Sequence, residues 1–377
     1  MPFAHILAAA YGWPGPPLAA AVHPDDEMLA VARRQAADEE HALDHYFRIG
    51  NLNDVAVQQI LAWAGCDWRR IDATLDFAAG YGRLTRFLSQ RLAPSKVWAS
   101  DLMPSAVAFQ RATFGVHTFA SATDPAALRW PARFDLIVVI SLFTHLPRST
   151  FALWLRHLAG ALADGGLLVF TTHGPELFAE GWRRPLDADL FFEPVSENAT
   201  LSPQDYGRTY VRPDFVSASL RDLPGVELLA HVPRGLGRGQ DVFVVGRGRP
   251  RPRARLVLRE PPQAGIDGAE SIGGAFRVAG WAVDADGQPV RRAWLFGDAT
   301  LLGEVTPGRP RSDLATLSID AARAGGWTID VPQGTPWPEW LVLVVEDAHG
   351  WRGVQAQRVE HLLRDIQRRF APPDAGP

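Results

Sequence analysis

Before residue 250 the chain alternates helical and strand-like hydrophobic patterns, and from 255 to 358 it shows only strand-like ones. Residues 22–65 read as helical: 27–43 is charged and helix-permissive, and 53–64 sets Val55, Val57, Ile60 and Leu61 on one stripe. From 74 onward, short apolar runs alternate with amphipathic ones. The runs 74–76, 97–100, 116–120, 134–140 and 167–171 predict strands, and the stretches opening near Arg83, near Ser105 and over 153–162 predict the helices between them. The 134–140 run is nearly continuous, as a strand buried on both faces requires. Such alternation predicts a doubly wound α/β sheet. The last two runs, 226–232 and 241–245, are joined only by 233–240, too short for a crossover helix, so the last strand is predicted antiparallel.

Residues 173–212 interrupt the alternation without a period of their own. They hold Phe178, Trp182, Phe191, Phe192, Tyr206 and Tyr210, which argues against disorder and for a lid over a ligand pocket, or else an extra packing layer. Arg and Pro then alternate through 248–253, predicting an extended, solvated linker at 249–254 whose arginines could alternatively grip a polyanion. From 255 to 358 the runs 276–283, 292–296, 327–331 and 341–345 lie between Asp-Gly, Pro-Gly and Gly-Gly turns, the pattern of a β-sandwich. Val359, Leu362, Leu363, Ile366 and Phe370 predict a terminal amphipathic helix. The expected plan is a first domain 1–248, a linker 249–254, a sandwich 255–358, and a helix and tail 359–377.

Composition narrows the classes without choosing among them. A length of 377 residues favours two domains, and 47% hydrophobic residues with a net charge of −4 describe a globular chain with no electrostatic reason to bind nucleic acid. Nearly every basic residue is Arg, with Lys96 the one lysine, which fits base composition better than an arginine-specific function. The single Cys66 excludes an internal disulfide and a cysteine-built zinc site, and no metal is expected. The first residues lack a basic start and are broken by Pro14, Pro16 and Pro17, unlike a signal peptide. No apolar run approaches the ~20 residues of a membrane span, so a soluble, cytoplasmic protein is expected, its oligomeric state left open.

The candidate chemistry begins at 74–87, where an apolar run ends in Asp76, Gly80 and Gly82 follow, and a helix pattern opens at Arg83. Glycine there admits positive φ and close approach of a ligand, and the helix start offers unpaired N–H groups. A dinucleotide fingerprint needs a third glycine where Thr85 stands. The series Asp76, Ala78, Gly80, Gly82 instead resembles the first motif of class I S-adenosylmethionine-dependent methyltransferases, with one glycine replaced by alanine. Asp101 ends the second strand 101 − 82 = 19 positions after Gly82, the place of an acid that accepts from ribose hydroxyls, or of one that merely caps the next helix. The fourth strand ending in Phe143, Thr144, His145 and Leu146, and Gly165-Gly166 before the fifth, add to the resemblance, which spans 42–247.

That resemblance implies a seven-stranded Rossmann-like sheet and S-adenosylmethionine as cofactor, with S-adenosylhomocysteine as product. The implied contacts are Asp76, Ala78, Ala79, Gly80, Tyr81, Gly82, Arg83, Asp101, Leu102, Ser121, Ala122 and Ser141. Family adenine contacts would fall at 121–124, where the chain has no clear acid at Ser121. Tyr46 and Arg48, just before the first strand, could reach the cofactor carboxylate, or else pack and stay solvated respectively. Residues 255–358, with Gly280, Trp281, Ala282 and 308–313, resemble a small immunoglobulin-like module appended to bacterial glycosyltransferases and methyltransferases of surface-glycan pathways. His145 is the first candidate for a base and His173 the second, unless either only holds a loop. These expectations lead to O-methylation of a sugar or glycoconjugate, against methylation of another small metabolite or a non-catalytic, cofactor-keeping scaffold.

Overall fold

The computed structural model describes residues 1–195, 201–272, 275–331 and 337–362. Contacts divide the chain into two compact units: Val22–Glu27 with Leu52–Arg259, and Met1–Ala21 with Met28–Asn51 and Glu260–Pro377. The expected boundary at 248 lies eleven residues before this division, and most of the helical stretch before Leu52 groups with the later strands.

Helices α1 (Phe3–Gly12), α2 (Glu27–Gln35) and α3 (Glu39–Trp63) open the chain. The expected stretch 27–43 is divided between α2 and α3, and its end is continuous through 45–50 with the second stretch in α3. Ala42, Tyr46 and Phe47 are fully buried and carry the apolar stripe through to Val57, Ile60 and Leu61, which offsets the roughly 1 kcal/mol that Gly50 costs a helix interior. Among the described residues, no helix is long and apolar enough to cross a membrane.

The larger unit then alternates strand and helix: β1 (Thr74–Phe77), α4 (Thr85–Arg91), β2 (Val97–Asp101), α5 (Pro104–Phe114), β3 (His117–Ala120), β4 (Phe134–Val139), α6 (Arg148–Gly160) and β5 (Leu162–Thr172). After α7 (Pro175–Trp182), β6 (Leu190–Glu193), β7 (Arg208–Val211) and α8 (Pro213–Leu220), the hairpin β8 (Val226–Leu236) and β9 (Gln240–Arg247) closes it. The seven-stranded sheet has the order β3-β2-β1-β4-β5-β9-β8. Strands β1 to β5 are parallel, and β9 runs antiparallel to both its neighbours, as its short connection demanded. The reversed strand is the last of this sheet's strands in sequence yet lies one place in from the sheet edge. Ile137, Val139, Leu168, Phe170 and Phe243 pack with Phe151, Leu155, Leu158 and Phe215 in one core. All of β1 and nearly all of β4 are buried, which is what their continuous apolar runs require.

The 173–212 insertion has its own structure. α7 precedes a two-stranded antiparallel ribbon of β6 and β7, and Phe178, Leu186 and Tyr210 form a small core with Phe191 against it. The Arg/Pro segment is largely exposed, as expected of a linker, but two of its arginines are held by hydrogen bonds. Arg249 donates to Gly165 O (2.6 Å) and Ala64 O (2.7 Å), and Arg251 to Leu229 O (2.8 Å). Each guanidinium presents several donors in a fixed fork, so an arginine can satisfy loop carbonyls that a backbone running past them cannot.

The other unit continues with β10 (Gln263–Ile272), β11 (Ala275–Val283), β12 (Arg292–Gly297), β13 (Thr300–Val305), α9 (Ile319–Ala324), β14 (Gly326–Val331), β15 (Trp340–Glu346) and β16 (Arg352–Arg358). They form antiparallel sheets of order β10-β11-β14 and β13-β12-β15-β16. Phe276, Val278, Trp327 and Ile329 of the first share a core with Leu295, Leu341, Leu343 and Val345 of the second. Phe3 of α1 lies 4.0 Å from Trp340 between ring centroids, so the first helix belongs to this unit by packing. Residues 359–362 are helical, and the expected Leu363, Ile366 and Phe370 lie outside the described residues.

Candidate active site

Four segments meet at the carboxyl edge of the parallel strands. After β1, Ala78, Gly80 and Gly82 all take positive φ (57°, 55° and 84°), forming a tight turn. The turn is tied to β2: Ala79 N donates to Ser100 O (3.0 Å) and Gly80 N to Asp101 Oδ2 (2.7 Å). Met103 N donates to Asp101 Oδ1 (3.0 Å), and Ser121 N, with Ala122 next in the chain, donates to Asp101 O (2.9 Å). The turn, Asp101 with Leu102, and Ser121 are therefore brought together as expected from the sequence. Ser141, with φ of 66°, ends β4 on the same edge; its N–H donates to Thr171 Oγ1 (2.8 Å) and its hydroxyl pairs with Gln240.

The two glycines do different work. A Cβ built on Gly82 would lie 2.4 Å from Phe114 Cε2, so Gly82 is needed for packing, whereas a Cβ on Gly80 would meet nothing within 4 Å. Gly80 thus keeps the turn in its left-handed conformation and leaves the space before it open. Ala78 takes the same backbone region with a side chain, at a cost of about 1–2 kcal/mol. Tyr81 and Arg83 flank Gly82, and Tyr81 is buried, its hydroxyl 2.9 Å from Ser105 Oγ.

Sequence reasoning missed a strap over this turn. His23 stacks on Tyr81 (4.4 Å, 15°) and meets Phe109 edge-on (5.2 Å), holding 22–27 against the first two loops. Burial, with the nearby Asp101 and Asp26 carboxylates, raises the Glu27 carboxyl above its usual range. Burial likewise raises Asp101, against the lowering effect of the Met103 and Gly80 N–H groups, and holds Asp76 at about 7. A histidine isolated between a helix and prolines gives no periodic signal, and only the fold pairs it with Tyr81.

Tyr46 and Arg48 fall in the other unit. Tyr46 is fully buried and edge-on to Phe47 (6.0 Å), and Arg48 Nη2 lies 2.9 Å from His45 Nδ1.

On the β4 and β5 side, the ribbon lies over both candidate histidines. His145 Nδ1 is 2.8 Å from Gly207 O, Gly207 N donates to His145 O (2.9 Å), and the ring stacks on Tyr206 (4.4 Å, 16°). A carbonyl only accepts, so Nδ1 carries the hydrogen and Nε2 is the basic nitrogen of the neutral ring. Thr209 Oγ1 donates to Leu146 O (2.6 Å), fixing the ribbon to the same loop. His173, half-buried after β5, pairs with Tyr210 in a parallel bridge. Burial foremost, with His145 and Arg208 nearby, lowers its pKa to about 4, so the ring is neutral near pH 7. Among the described residues its Nδ1 is buried without a hydrogen-bond partner. Close by, Asp241 accepts from His231 Nε2 (2.7 Å) and Arg234 N (3.0 Å).

A family described as a methyltransferase domain matches residues 75–168, the segment that builds β1 through most of β5. No curated protein matches the chain. Among solved structures, an S-adenosylmethionine-dependent methyltransferase from Clostridium acetobutylicum is similar at 15% identity, over 52% of this chain and 91% of that one, with a TM-score of 0.39. A glycopeptide N-methyltransferase complexed with sinefungin is similar at 20% identity, over 50% and 83%, with a TM-score of 0.34. Magnesium protoporphyrin IX methyltransferase from Synechocystis, with bound S-adenosylhomocysteine, is similar at 16% identity, over 59% and 95%, with a TM-score of 0.39. Residues 75–168 carry a methyltransferase domain, on the seven-stranded sheet. That match makes the chain an enzyme of methyl transfer.

Proposed function

We propose that the chain O-methylates a sugar or glycoconjugate, with His145 as the base. The observation that carries this reading is the tautomer of His145, which Gly207 O fixes so that Nε2 can take the acceptor's hydroxyl proton. S-adenosylmethionine, when bound, supplies the methyl group. The residues present fit that cofactor: Gly80 leaves open space before the turn, and Asp101, having accepted from Gly80 N and Met103 N, keeps lone pairs for two ribose hydroxyls. Ala78 to Arg83 shape the turn, Leu102, Ser121 and Ala122 flank the base end, and Ser141 borders the methyl side.

With a pKa near 4, His173 is too weak a base to compete with His145. Its Nδ1 is buried away from any incoming acceptor, which leaves His173 a packing role beside the ribbon. The 173–212 insertion acts as the lid. Tyr206, stacked on His145, offers an apolar face beside a polar ring, which suits an acceptor that has both an apolar face and hydroxyls, as a sugar ring does. The resemblance of 255–358 to the immunoglobulin-like module of glycan enzymes supports the same class by association. Radiolabelled methyl transfer to a panel of saccharides, amines and carboxylic acids tests it. Labelled methyl ethers on sugars are expected; label on nitrogen or carboxylate alone would overturn the acceptor class, and no binding of cofactor by calorimetry would overturn the site.

A further inference from the structure

Beneath the cofactor turn lies a chain of side chains that the reaction does not use. Asp76 Oδ2 is 2.7 Å from Thr85 Oγ1, Thr85 Oγ1 is 2.7 Å from Gln110 Oε1, and Gln110 Nε2 is 2.7 Å from Gly80 O. Thr85 and Gln110 are fully sequestered and Asp76 is 3% exposed. The three come from β1, α4 and α5, so the chain spans the layer beneath the turn.

Hydrogen counting decides what this chain must carry. Gly80 O accepts only, so the Gln110 amide must face it with its nitrogen, which turns Oε1 toward Thr85. Thr85 has one hydroxyl hydrogen and two acceptors at equal distance. If the carboxyl of Asp76 holds a proton, Asp76 donates to Thr85, Thr85 to Gln110 and Gln110 to Gly80, and every contact is filled. If Asp76 is ionised, it takes the Thr85 hydrogen, leaving lone pairs of Thr85 and Gln110 opposed at 2.7 Å in a buried site, which is costly.

We propose that Asp76, Thr85 and Gln110 are positioning residues for the cofactor, a relay that carries one carboxyl proton and fixes the Gly80 carbonyl in the binding turn. It rests on the cofactor reading above and adds to it a pH dependence that the turn alone would not have. Burial foremost holds the carboxyl up at about 7; Thr85 lowers it, Asp101 on β2 raises it and Arg83 in the turn lowers it. The register neighbours Ala99 and Val138 are apolar, and α5 faces it with the neutral Gln110. As pH rises through 7 the relay loses its proton, the Gly80 carbonyl loses its fixed donor, and affinity falls.

The test is calorimetric titration of the full chain with S-adenosylmethionine from pH 5.5 to 8.5, for the parent, Asp76→Asn and Thr85→Val. An asparagine amide keeps a hydrogen for Thr85 at every pH, so the ratio of parent to Asp76→Asn dissociation constants should rise at least about threefold across pH 7, within the limit of tenfold per pH unit set by one linked proton. Titration of the ligand's own amino group cancels in that ratio. Thr85→Val, which breaks the relay, should bind more weakly than the parent at low pH and lose the dependence. A flat ratio, a ratio that falls because ionised Asp76 attracts the cationic ligand, or parent-like binding by Thr85→Val would overturn the relay while leaving the cofactor site standing. A parent that binds at no pH would remove both.

Discussion

The two halves of the site answer burial in opposite ways. On the cofactor side the buried groups are the carboxyls of Asp76 and Asp101, and desolvation raises both. On the acceptor side the group most affected is an imidazole, His173, and desolvation lowers it. One physical cause therefore moves both sides toward neutrality from opposite signs. The halves also differ in assembly. Gly80 reaches Asp101 and Gln110 across 21 and 30 positions, whereas Gly207 is brought to His145 across 62, by a ribbon absent from the repeating strand–helix plan. On the proposed reading, the side built from neighbouring strand–helix units would hold the cofactor and the side built from an insertion would specify the acceptor.

If that division of labour is right, His145→Ala should lower turnover by ~10²-fold or more with cofactor affinity nearly unchanged, as steady-state rates and calorimetry would show once the acceptor is identified. Full turnover in that variant would move the base elsewhere. The mirror change, Asp101→Ala, should weaken cofactor binding by ~1.5–3 kcal/mol, and unchanged calorimetric affinity would take the ribose away from it.

Stability against pH separates the halves next. Asp76, raised, gives stability that is present below about pH 4 and lost as pH rises through about 7; His173, lowered, gives stability present above about 6.5 and lost as pH falls through about 4. Between pH 4 and 6.5 the two slopes oppose. Denaturant melts of Asp76→Asn should show stability rising with pH there and those of His173→Gln should show it falling, each relative to the parent by up to about 1.4 kcal/mol per pH unit. Slopes of the same sign would mean that one group is not buried neutral. Smallest of all, Ala78→Gly should raise stability by up to ~1 kcal/mol by relieving the left-handed alanine, and a loss in thermal melts would show that its methyl packs.

The sheet was legible because its information is local. Continuous apolar strands, the short 233–240 connection and the glycine turn each specify their own geometry, and the predicted contacts Gly80, Asp101 and Ser121 do meet. The helical stretches were placed but not their ends: the break between α2 and α3 at 36–38 and the continuity of α3 through 45–50, where Tyr46 and Phe47 are buried, show only in the fold. The insertion showed only its aromatic content. Pairing of Leu190 with Val211 depends on chain returning from twenty-one residues away, with no tight turn to announce it. Thr85 was noticed only as a missing glycine, though its hydroxyl is what links Asp76 to the turn.

Arg249 and Arg251 were expected to sit in a solvated linker that buries nothing. Their guanidinium groups nevertheless hold carbonyls of 64, 165 and 229, so this stretch belongs by its hydrogen bonds to the unit that carries the seven-stranded sheet. A truncation ending at Gly248 would strip those carbonyls of their donors. One ending at Arg259 keeps them, along with the 2.8 Å bond from Arg259 N to Gln59 Oε1, and is the better place to divide the chain.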